Sequence, residues 1–233
     1  MPPLLWPADE RPRFADRADA GRQLATKVDG RFRDPVVLGL PRGGVAVAYE
    51  VAKALDAPLD VIVARKLGAP HQPELAIGAI AAGASVLRGD IIDVLGISDD
   101  EIARITARER ARAADLEQRF RHGRTPVALA GRTVIVVDDG LATGATATAA
   151  IRSVRTQRPA RVILAVPVGA PESVRDLARE ADEVVTLAQP EDFRAVGLHY
   201  WSFTQLSDDE VEAMLDERAA DRVRSDQPAG SER

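Results

Sequence analysis

Short runs of apolar, largely β-branched residues recur along the chain and alternate with stretches of helical periodicity. The clearest runs cover residues 35–40, 59–64, 133–137, 161–168 and 183–187. A strand that is apolar on both faces has to be buried on both, as in a parallel sheet covered by helices. The sequence therefore predicts an α/β fold with a doubly wound, mostly parallel sheet flanked by helices.

The segments between these runs predict helices and one antiparallel hairpin. Helical spacing covers residues 13–29, the stretch after Gly44 up to Leu55, and residues 145–157, 172–180 and 207–218. Residues 76–80 and 84–87 predict a hairpin around Gly83. A chain of 233 residues can bury a full core in a single domain. We expect that domain to cover residues 13–217, between flexible termini at 1–12 and 225–233.

Residues 98–124 interrupt the alternation and predict a helical insertion. Ser98 and Glu101 form a capping-box pattern, and the charged helix that follows has only a thin apolar stripe, made by Ile102, Ile105, Leu116 and Phe120. Acids and bases are interleaved along it, which favours a solvated face over a nucleic-acid site. The insertion is expected to lie over the domain or against a partner subunit.

Composition excludes several classes of protein. The chain has no cysteine, so disulfides, thiol catalysis and cysteine-bound zinc are excluded. The formal net charge of −5 disfavours nucleic-acid binding, which needs a basic surface. Because no apolar run approaches the roughly 18 residues of a membrane span and no signal-peptide pattern occurs, we expect no membrane partner and a cytoplasmic location.

The basic residues are mostly arginine, and the only lysines are Lys27, Lys53 and Lys66. This excess of arginine reflects either a GC-rich coding sequence or arginines chosen for phosphate.

The most informative stretch is 134–146, in which an apolar strand leads into two acids, a turn of small residues and a helix. Side chains that follow a central parallel strand face a ligand crevice, where Asp138 and Asp139 suit ribose hydroxyls or hydrated Mg²⁺. Gly144 and its small neighbours let backbone N–H groups approach a phosphate, which the helix N-terminus also attracts. The alternative is an ordinary Asp-Asp-Gly turn with Thr143 as a helix cap. Neither a Walker loop nor a Gly-x-Gly-x-x-Gly pattern is present, which disfavours P-loop and dinucleotide-binding proteins.

This stretch resembles the phosphoribosyl diphosphate (PRPP) signature of the type I phosphoribosyltransferases. Similar pieces extend the resemblance over most of residues 13–217, and the chain is most similar to a branch that carries PRGG, RKLGAP and DDGLATGAT together. The resemblance implies that Asp138 and Asp139 hold the ribose of PRPP, directly or through Mg²⁺. It also implies a 5′-phosphate loop made of Gly140, Ala142, Thr143, Gly144, Ala145 and Thr146.

Two further basic segments resemble the parts of that family's site that bind diphosphate. Arg42, Gly43 and Gly44 follow the first core strand, where their amides and guanidinium are expected to bind diphosphate; a tight strand-to-helix turn is the alternative. Arg65 and Lys66 end the next predicted strand and are expected to face the same crevice, or else to form a plain surface pair. Residues 68–78, with His71 and Glu74, are expected to form a mobile loop over the site.

An aromatic segment near the C-terminus is similar to the base-binding tail of purine phosphoribosyltransferases. By that resemblance, residues 188–206 form a hood in which Phe193 stacks on the acceptor ring beside Trp201. A satellite core under the C-terminal helix explains the same aromatics. Ala142 stands where members that use 6-oxopurines usually have Asp, which argues against hypoxanthine or guanine as acceptor.

The resemblance implies an enzyme that binds PRPP with Mg²⁺ as cofactor and transfers the phosphoribosyl group to a nitrogen of a small-molecule acceptor, releasing diphosphate. Asp138, Asp139 and Arg42 are the expected catalytic residues, and the family commonly forms homodimers. The alternatives are a PRPP- or nucleotide-sensing regulator on the same fold, and a hydrolase with water as acceptor.

Overall fold

A five-stranded parallel sheet forms the centre of the protein, for which a computed structural model describes residues 12–226. Its strands are β1 (Pro35–Gly39), β2 (Leu59–Val61), β6 (Thr133–Val137), β7 (Arg161–Val168) and β8 (Glu183–Ala188), in the order β2-β1-β6-β7-β8. A second sheet of three antiparallel strands contains β3 (Arg65–Ala69), β4 (Gln72–Ala81) and β5 (Ala84–Leu87). The helices are α1 (Arg17–Val28), α2 (Gly43–Ala54), α3 (Gly89–Leu95), α4 (Asp99–Arg121), α5 (Ala145–Thr156), α6 (Pro171–Leu177) and α7 (Asp208–Asp226). The predicted doubly wound α/β fold is confirmed.

The parallel sheet is buried on both faces, as its apolar strands require. Along β6, Val134 and Val136 pack toward α5 and α6, whereas Ile135 and Val137 pack toward α1 and α2. This alternation follows from the two-residue period of a strand. Helices cover both faces because neither face has polar side chains to present to water.

The region after β2 differs from the prediction. The strand predicted at 59–64 ends at Val61, and Arg65 and Lys66 begin β3 in the second sheet instead of ending β2. The predicted mobile loop at 68–78 is wrong, because β3 and β4 form a hairpin that turns at His71. Its glycines are places of close backbone approach: a Cβ on Gly68 would lie 2.3 Å from the Pro73 carbonyl oxygen.

Helix α4 covers the second sheet. The Ser98 capping box forms as predicted, with the Ser98 and Glu101 side chains each bonded to the other's backbone. Ile105, Ala113 and Phe120 are buried against β3, β4 and α7. The insertion therefore lies over the domain through a narrow apolar stripe, which is one of the two expected arrangements.

The ends of the chain are described in part. Of the predicted flexible termini at 1–12 and 225–233, residues 1–11 and 227–233 lie outside the described residues, and the backbone of α7 is helical to Asp226. Within residues 12–226, no helix combines the length and the apolar character that crossing a bilayer needs.

Candidate functional site

The candidate site lies at the carboxyl ends of β1 and β6. These two strands are neighbours in register, with Gly39 opposite Val137. From β1 the chain moves outward to β2, and from β6 it moves the other way to β7. The strand order therefore reverses between β1 and β6, which is where open α/β sheets form a ligand crevice. The two motifs singled out in the sequence, at 41–44 and 138–146, both open into this crevice.

Gly43 and Gly44 bring the start of α2 against the two acids. A Cβ on Gly44 would lie 2.7 Å from the Val137 carbonyl oxygen and 2.8 Å from the Cα of Asp138, both of which are backbone atoms. A Cβ on Gly43 would lie 2.0 Å from Asp139 Oδ2. Gly44 is thus required for packing against the backbone, and a side chain at residue 43 would displace the Asp139 carboxylate. The two glycines place the first amides of α2 beside the carboxylate pair.

Asp138 and Asp139 are half-buried neighbours with unequal surroundings. Asp138 Oδ1 accepts a hydrogen bond of 2.8 Å from the backbone N–H of Asp139. Burial, together with the neighbouring charge of Asp139, raises the pKa of Asp138 well above its usual range. Burial also raises the pKa of Asp139, but the Arg17 guanidinium opposes that rise. Asp139 is therefore the better stabilised of the two anions.

Arg17 binds one of these two acids, although no sequence motif identifies it. Its Nε donates to Asp139 Oδ2 at 2.8 Å, and both side chains are largely shielded from solvent. The two residues are 122 positions apart, and Arg17 belongs to a helix that carries no recognisable motif. No local sequence signal could have found it.

The predicted phosphate loop surrounds the start of α5. Gly144, at φ 75°, occupies the N-cap position without a side chain to cap the helix, so the first amides of α5 remain available to a ligand. Thr143 is exposed, and Ala145 and Thr146 are half-buried. The Ser173 hydroxyl donates to the Ala142 carbonyl and so fixes the loop from α6. This arrangement suits an anion.

Arg42 lies on the other side of the crevice. Its peptide bond with Pro41 is cis, and its side chain is partly exposed and 3.8 Å from Asp208 at the start of α7. Asp208 also pairs with Arg119 of α4 at 2.9 Å. The long separation from Asp208 leaves the Arg42 guanidinium weakly engaged within the protein.

The other predicted diphosphate residues lie in the second sheet. Arg65 donates from Nε to Glu109 Oε2 at 2.7 Å, which directs it toward α4. Lys66 is exposed. Glu109 is itself buried and also pairs with Arg108 and Arg112. The structure therefore does not bring Arg65 to the carboxylate pair.

The hood segment, residues 188–206, packs directly on residues 138–140, which we call the acid loop. A Cβ on Gly140 would lie 2.4 Å from Val196 Cγ1, so that glycine is required by the hood. The Tyr200 hydroxyl donates to the Asp139 carbonyl at 2.5 Å, and burial, followed by the charge of Asp139, raises the pKa of Tyr200. Tyr200 also packs in a small core with Phe14 and Val168. A satellite core therefore forms, but it lies against α1 and β7 and not under the C-terminal helix as expected. Stacking of the hood on an acceptor ring stays a prediction.

Phe193 and Trp201 differ in their surroundings. Phe193 is half-buried and stacks on His199, with ring centroids 5.6 Å apart and planes inclined by 17°. One face of Phe193 is therefore already covered. The Trp201 side chain is 61% exposed, while its backbone N–H is bonded to the Phe14 carbonyl. Trp201 is held in place by its backbone and presents its ring to solvent.

Comparisons with known proteins agree with this geometry. The family model of the phosphoribosyl transferase domain matches residues 14–201. Two proteins of Mycobacterium tuberculosis (strains CDC 1551 / Oshkosh and H37Rv), both provisionally named phosphoribosyl transferases, are 52% identical over 208 residues. The alignment covers 87% of this chain and 46% of each relative, so the chain spans about half the length of the curated relatives it matches.

A solved structure shows the same fold. The protein TT1426 from Thermus thermophilus is 45% identical and superposes with a TM-score of 0.76, over 88% of this chain and 98% of that one. The family model covers most of the chain, and the M. tuberculosis relatives align over nearly all of it. The chain belongs to the phosphoribosyl transferase domain family.

Proposed function

We propose that this protein binds PRPP with Mg²⁺ and transfers the 5-phosphoribosyl group to a nitrogen of a small acceptor, a nucleobase, with release of diphosphate. The observation that carries the proposal is that the glycine-containing loops at 41–44 and 140–146 follow neighbouring strands and that the two acids lie between them. PRPP carries phosphate groups at both ends of a ribose, which matches that order. The transferase unit is proposed to be the single domain at 13–217.

On the diphosphate side, charge develops on the leaving group as the bond to ribose C1 breaks. Arg42, whose partner Asp208 is distant at 3.8 Å, is available to bind those oxygens. The amides of Gly43 and Gly44 supply further donors that are already oriented by the start of α2. Catalysis by these groups is positioning and electrostatic stabilisation, and it needs no covalent intermediate.

Asp138 and Asp139 are proposed to hold the ribose hydroxyls. Within the described residues no group of three or more His, Cys, Asp or Glu side chains converges on one point, so this pair is the donor set that we propose for Mg²⁺. That donor set fits a Mg²⁺ ion completed by substrate oxygens, which is how the ion is commonly bound beside phosphates. When bound, Mg²⁺ would offset negative charge on the diphosphate.

The 5′-phosphate is proposed to bind the amides at the start of α5. This contact is remote from C1, so its binding energy can hold the ribose in a reactive position. For the acceptor, Phe193 and Trp201 of the hood are the proposed contacts, and Trp201 is the more exposed of the two. Ala142 supplies no acid to the base, which favours acceptors other than 6-oxopurines.

A screen of nucleobases with PRPP and Mg²⁺, with diphosphate release as readout, tests the proposal. We expect release that depends on one class of base, and a loss of about 100-fold or more in kcat/KM in Asp139→Asn and Arg42→Ala. Asp176→Asn and Arg179→Ala make the same two changes in an exposed ion pair at the C-terminal end of α6, and they are expected to match the wild type. Full turnover in both site variants would refute the assignment. Binding of PRPP without release with any base would favour a sensor, and base-independent release would favour a hydrolase.

A further inference from the structure

Arg17 joins three parts of the molecule at the candidate site. It is the first residue of α1, whose start is fixed by the Asp16 side chain bonded to the Asp19 N–H. From there its Nε reaches Asp139 Oδ2, and its Nη1 donates to the Thr204 carbonyl at 2.7 Å. Its Cζ lies 3.9 Å from the centre of the Phe203 ring. One side chain therefore connects α1, the hood and the acid loop.

The geometry of these contacts needs a guanidinium. A planar fork can donate in two directions while its face stacks on an aromatic ring, whereas an ammonium is a point charge that cannot meet all three requirements. The Arg17 and Asp139 side chains are only 11% and 16% exposed, so solvent screens their attraction weakly. Loss of the guanidinium would leave a shielded carboxylate without its partner.

Asp139 is held through both its side chain and its backbone carbonyl. Arg17 fixes its side chain through Oδ2, and the Tyr200 hydroxyl fixes its carbonyl. Oδ2 occupies the space that a side chain at residue 43 would fill, because a Cβ there would lie 2.0 Å from it. Oδ2 and the carbonyl of Asp139 are thus both engaged, and the hydrogen bonds of the described residues leave its second carboxylate oxygen for a ligand.

We propose that Arg17 is a positioning residue, which orients Asp139 for PRPP and ties the hood at Phe203 and Thr204 to the acid loop. The inference rests on the proposed function for its effect on PRPP, and on the contacts alone for its effect on the hood. Arg17 does not contact the acceptor in this scheme, so it acts on PRPP through Asp139.

The test compares Arg17→Gln and Arg17→Lys with Arg22→Gln. Arg22 is a matched control because it lies on the same helix and its pair with Glu50 is long, at 3.7 Å, and more exposed. Measurements are the Kd of PRPP with Mg²⁺, the KM for PRPP and for the acceptor base, kcat, and thermal unfolding. Arg17→Gln is expected to weaken PRPP binding by about 10–100-fold, as loss of a group that orients a ligand-binding side chain does. The KM for the base should stay within about twofold, and Arg17→Lys should restore only part of the PRPP affinity.

A spectroscopic readout follows the hood without any ligand. The chain's two tryptophans are Trp6 and Trp201, so a Trp6→Phe background leaves Trp201 as the reporter. In that background we expect Arg17→Gln, but not Arg22→Gln, to change the emission and acrylamide quenching of Trp201, because Phe203 and Thr204 two and three residues away lose their partner.

The outcomes separate this inference from the proposed function. PRPP affinity and Trp201 quenching in Arg17→Gln that both equal those of Arg22→Gln would overturn the positioning role. Equal losses in every kinetic parameter together with a lowered Tm would also overturn it, because they indicate a structural role alone. If the wild-type protein neither binds PRPP nor releases diphosphate, the proposed function fails, and a change in Trp201 confined to Arg17→Gln still supports the tie between hood and acid loop.

Discussion

Gly140 of the acid loop packs against Val196 of the hood without room for a side chain. A Cβ at residue 140 would lie 2.4 Å from Val196 Cγ1 and 2.7 Å from its Cγ2. Real Cβ atoms do not approach that closely, so Gly140→Ala forces either the loop or the hood to move. Forcing one methyl into a packed contact typically costs about 1–3 kcal/mol. We expect that loss in the free energy of unfolding, measured by urea denaturation.

A second substitution, at Val196, tests whether the loss of stability comes from this contact. Val196→Ala removes both clashing methyls, so the double variant Gly140→Ala/Val196→Ala should be more stable than Gly140→Ala alone, with a coupling of about 1 kcal/mol or more. Gly89→Ala is the control, because a Cβ there meets nothing within 4 Å. Additive effects in the double variant would show that the hood does not press on Gly140.

At the scale of single residues, the sequence predicts those site residues that are close to one another along the chain. Asp138, Asp139 and the small residues after them could be selected because the order strand, acids, turn and helix is continuous in the chain. Arg17 could not be selected, since its role depends on a contact between residues 122 positions apart. Arg65 is expected in the crevice from its place at the end of a predicted strand and from the family resemblance, but the structure pairs it with Glu109 on α4, a partner 44 residues away.

At the scale of elements, Glu109 fastens α4 to the second sheet. It is buried, and three guanidinium groups surround it, from Arg65, Arg108 and Arg112. Burial alone would raise the pKa of Glu109, but the hydrogen bonds and charges of these arginines outweigh burial and lower it. The folded protein therefore holds Glu109 ionised more firmly than the unfolded chain does.

A pH-dependent contribution to stability follows from that shift. Because the pKa of Glu109 is lower in the folded state, its contribution is fully present above the unfolded value of about 4.3 and is lost as the pH falls through the folded value. Glu109→Gln should lower the free energy of unfolding at pH 7 by about 1–2 kcal/mol, a modest figure because the arginines are partly exposed. The deficit should shrink as the pH is lowered below about 4.

Denaturation curves from pH 7 down to pH 3 check this expectation. Glu191→Gln, which changes an exposed glutamate after β8, should unfold like the wild type at every pH. A deficit in Glu109→Gln that stays constant with pH would contradict the electrostatic account and point to lost packing.

The elements also show where periodicity is informative. The strands at 133–137 and 161–168 were predicted with the observed bounds, because apolar residues on both faces allow few alternatives. The hairpin predicted at 76–80 and 84–87 is confirmed, as β4 and β5. The loop predicted at 68–78 is wrong, since Pro, Gly and His are turn-forming residues that obscure the pairing of β3 with β4 over a tight turn. A glycine in a strand indicates that another backbone segment lies close to it. The sequence does not show which segment that is, whereas the structure does.

At the scale of the whole molecule, the sheet order brings distant segments to one edge. The loop at 41–44 and the loop at 140–146 are about a hundred residues apart, yet β1 and β6 are adjacent strands. The N-terminal segment reaches the same edge through backbone bonds with the hood, from Trp201 to the Phe14 carbonyl and from Ser202 to the Ala15 carbonyl. Sequence could predict that a crevice forms, but not that the hood and α1 close one side of it.

That arrangement predicts how ligands stabilise the fold. PRPP is proposed to bridge both loops, whereas ribose 5-phosphate reaches only the loop at 140–146 and diphosphate only the loop at 41–44. A ligand that binds the folded state at 100 times its Kd stabilises it by about 2.7 kcal/mol, which is roughly 5–10 °C in Tm for a chain of this size. Joining two fragments makes the second contact intramolecular. At equal concentrations with Mg²⁺, PRPP should therefore raise Tm by more than the two fragments' separate shifts added together.

Inorganic triphosphate serves as the control, because it carries comparable charge without a ribose. A crevice that binds any polyanion would respond to triphosphate as strongly as to PRPP, and that result would count against the bridging arrangement. In Asp139→Asn the fragments should keep most of their small shifts, since each rests on backbone amides of its own loop. The additional shift of PRPP should be lost, because the ribose that joins the two phosphate groups is the part that the carboxylate pair is proposed to hold.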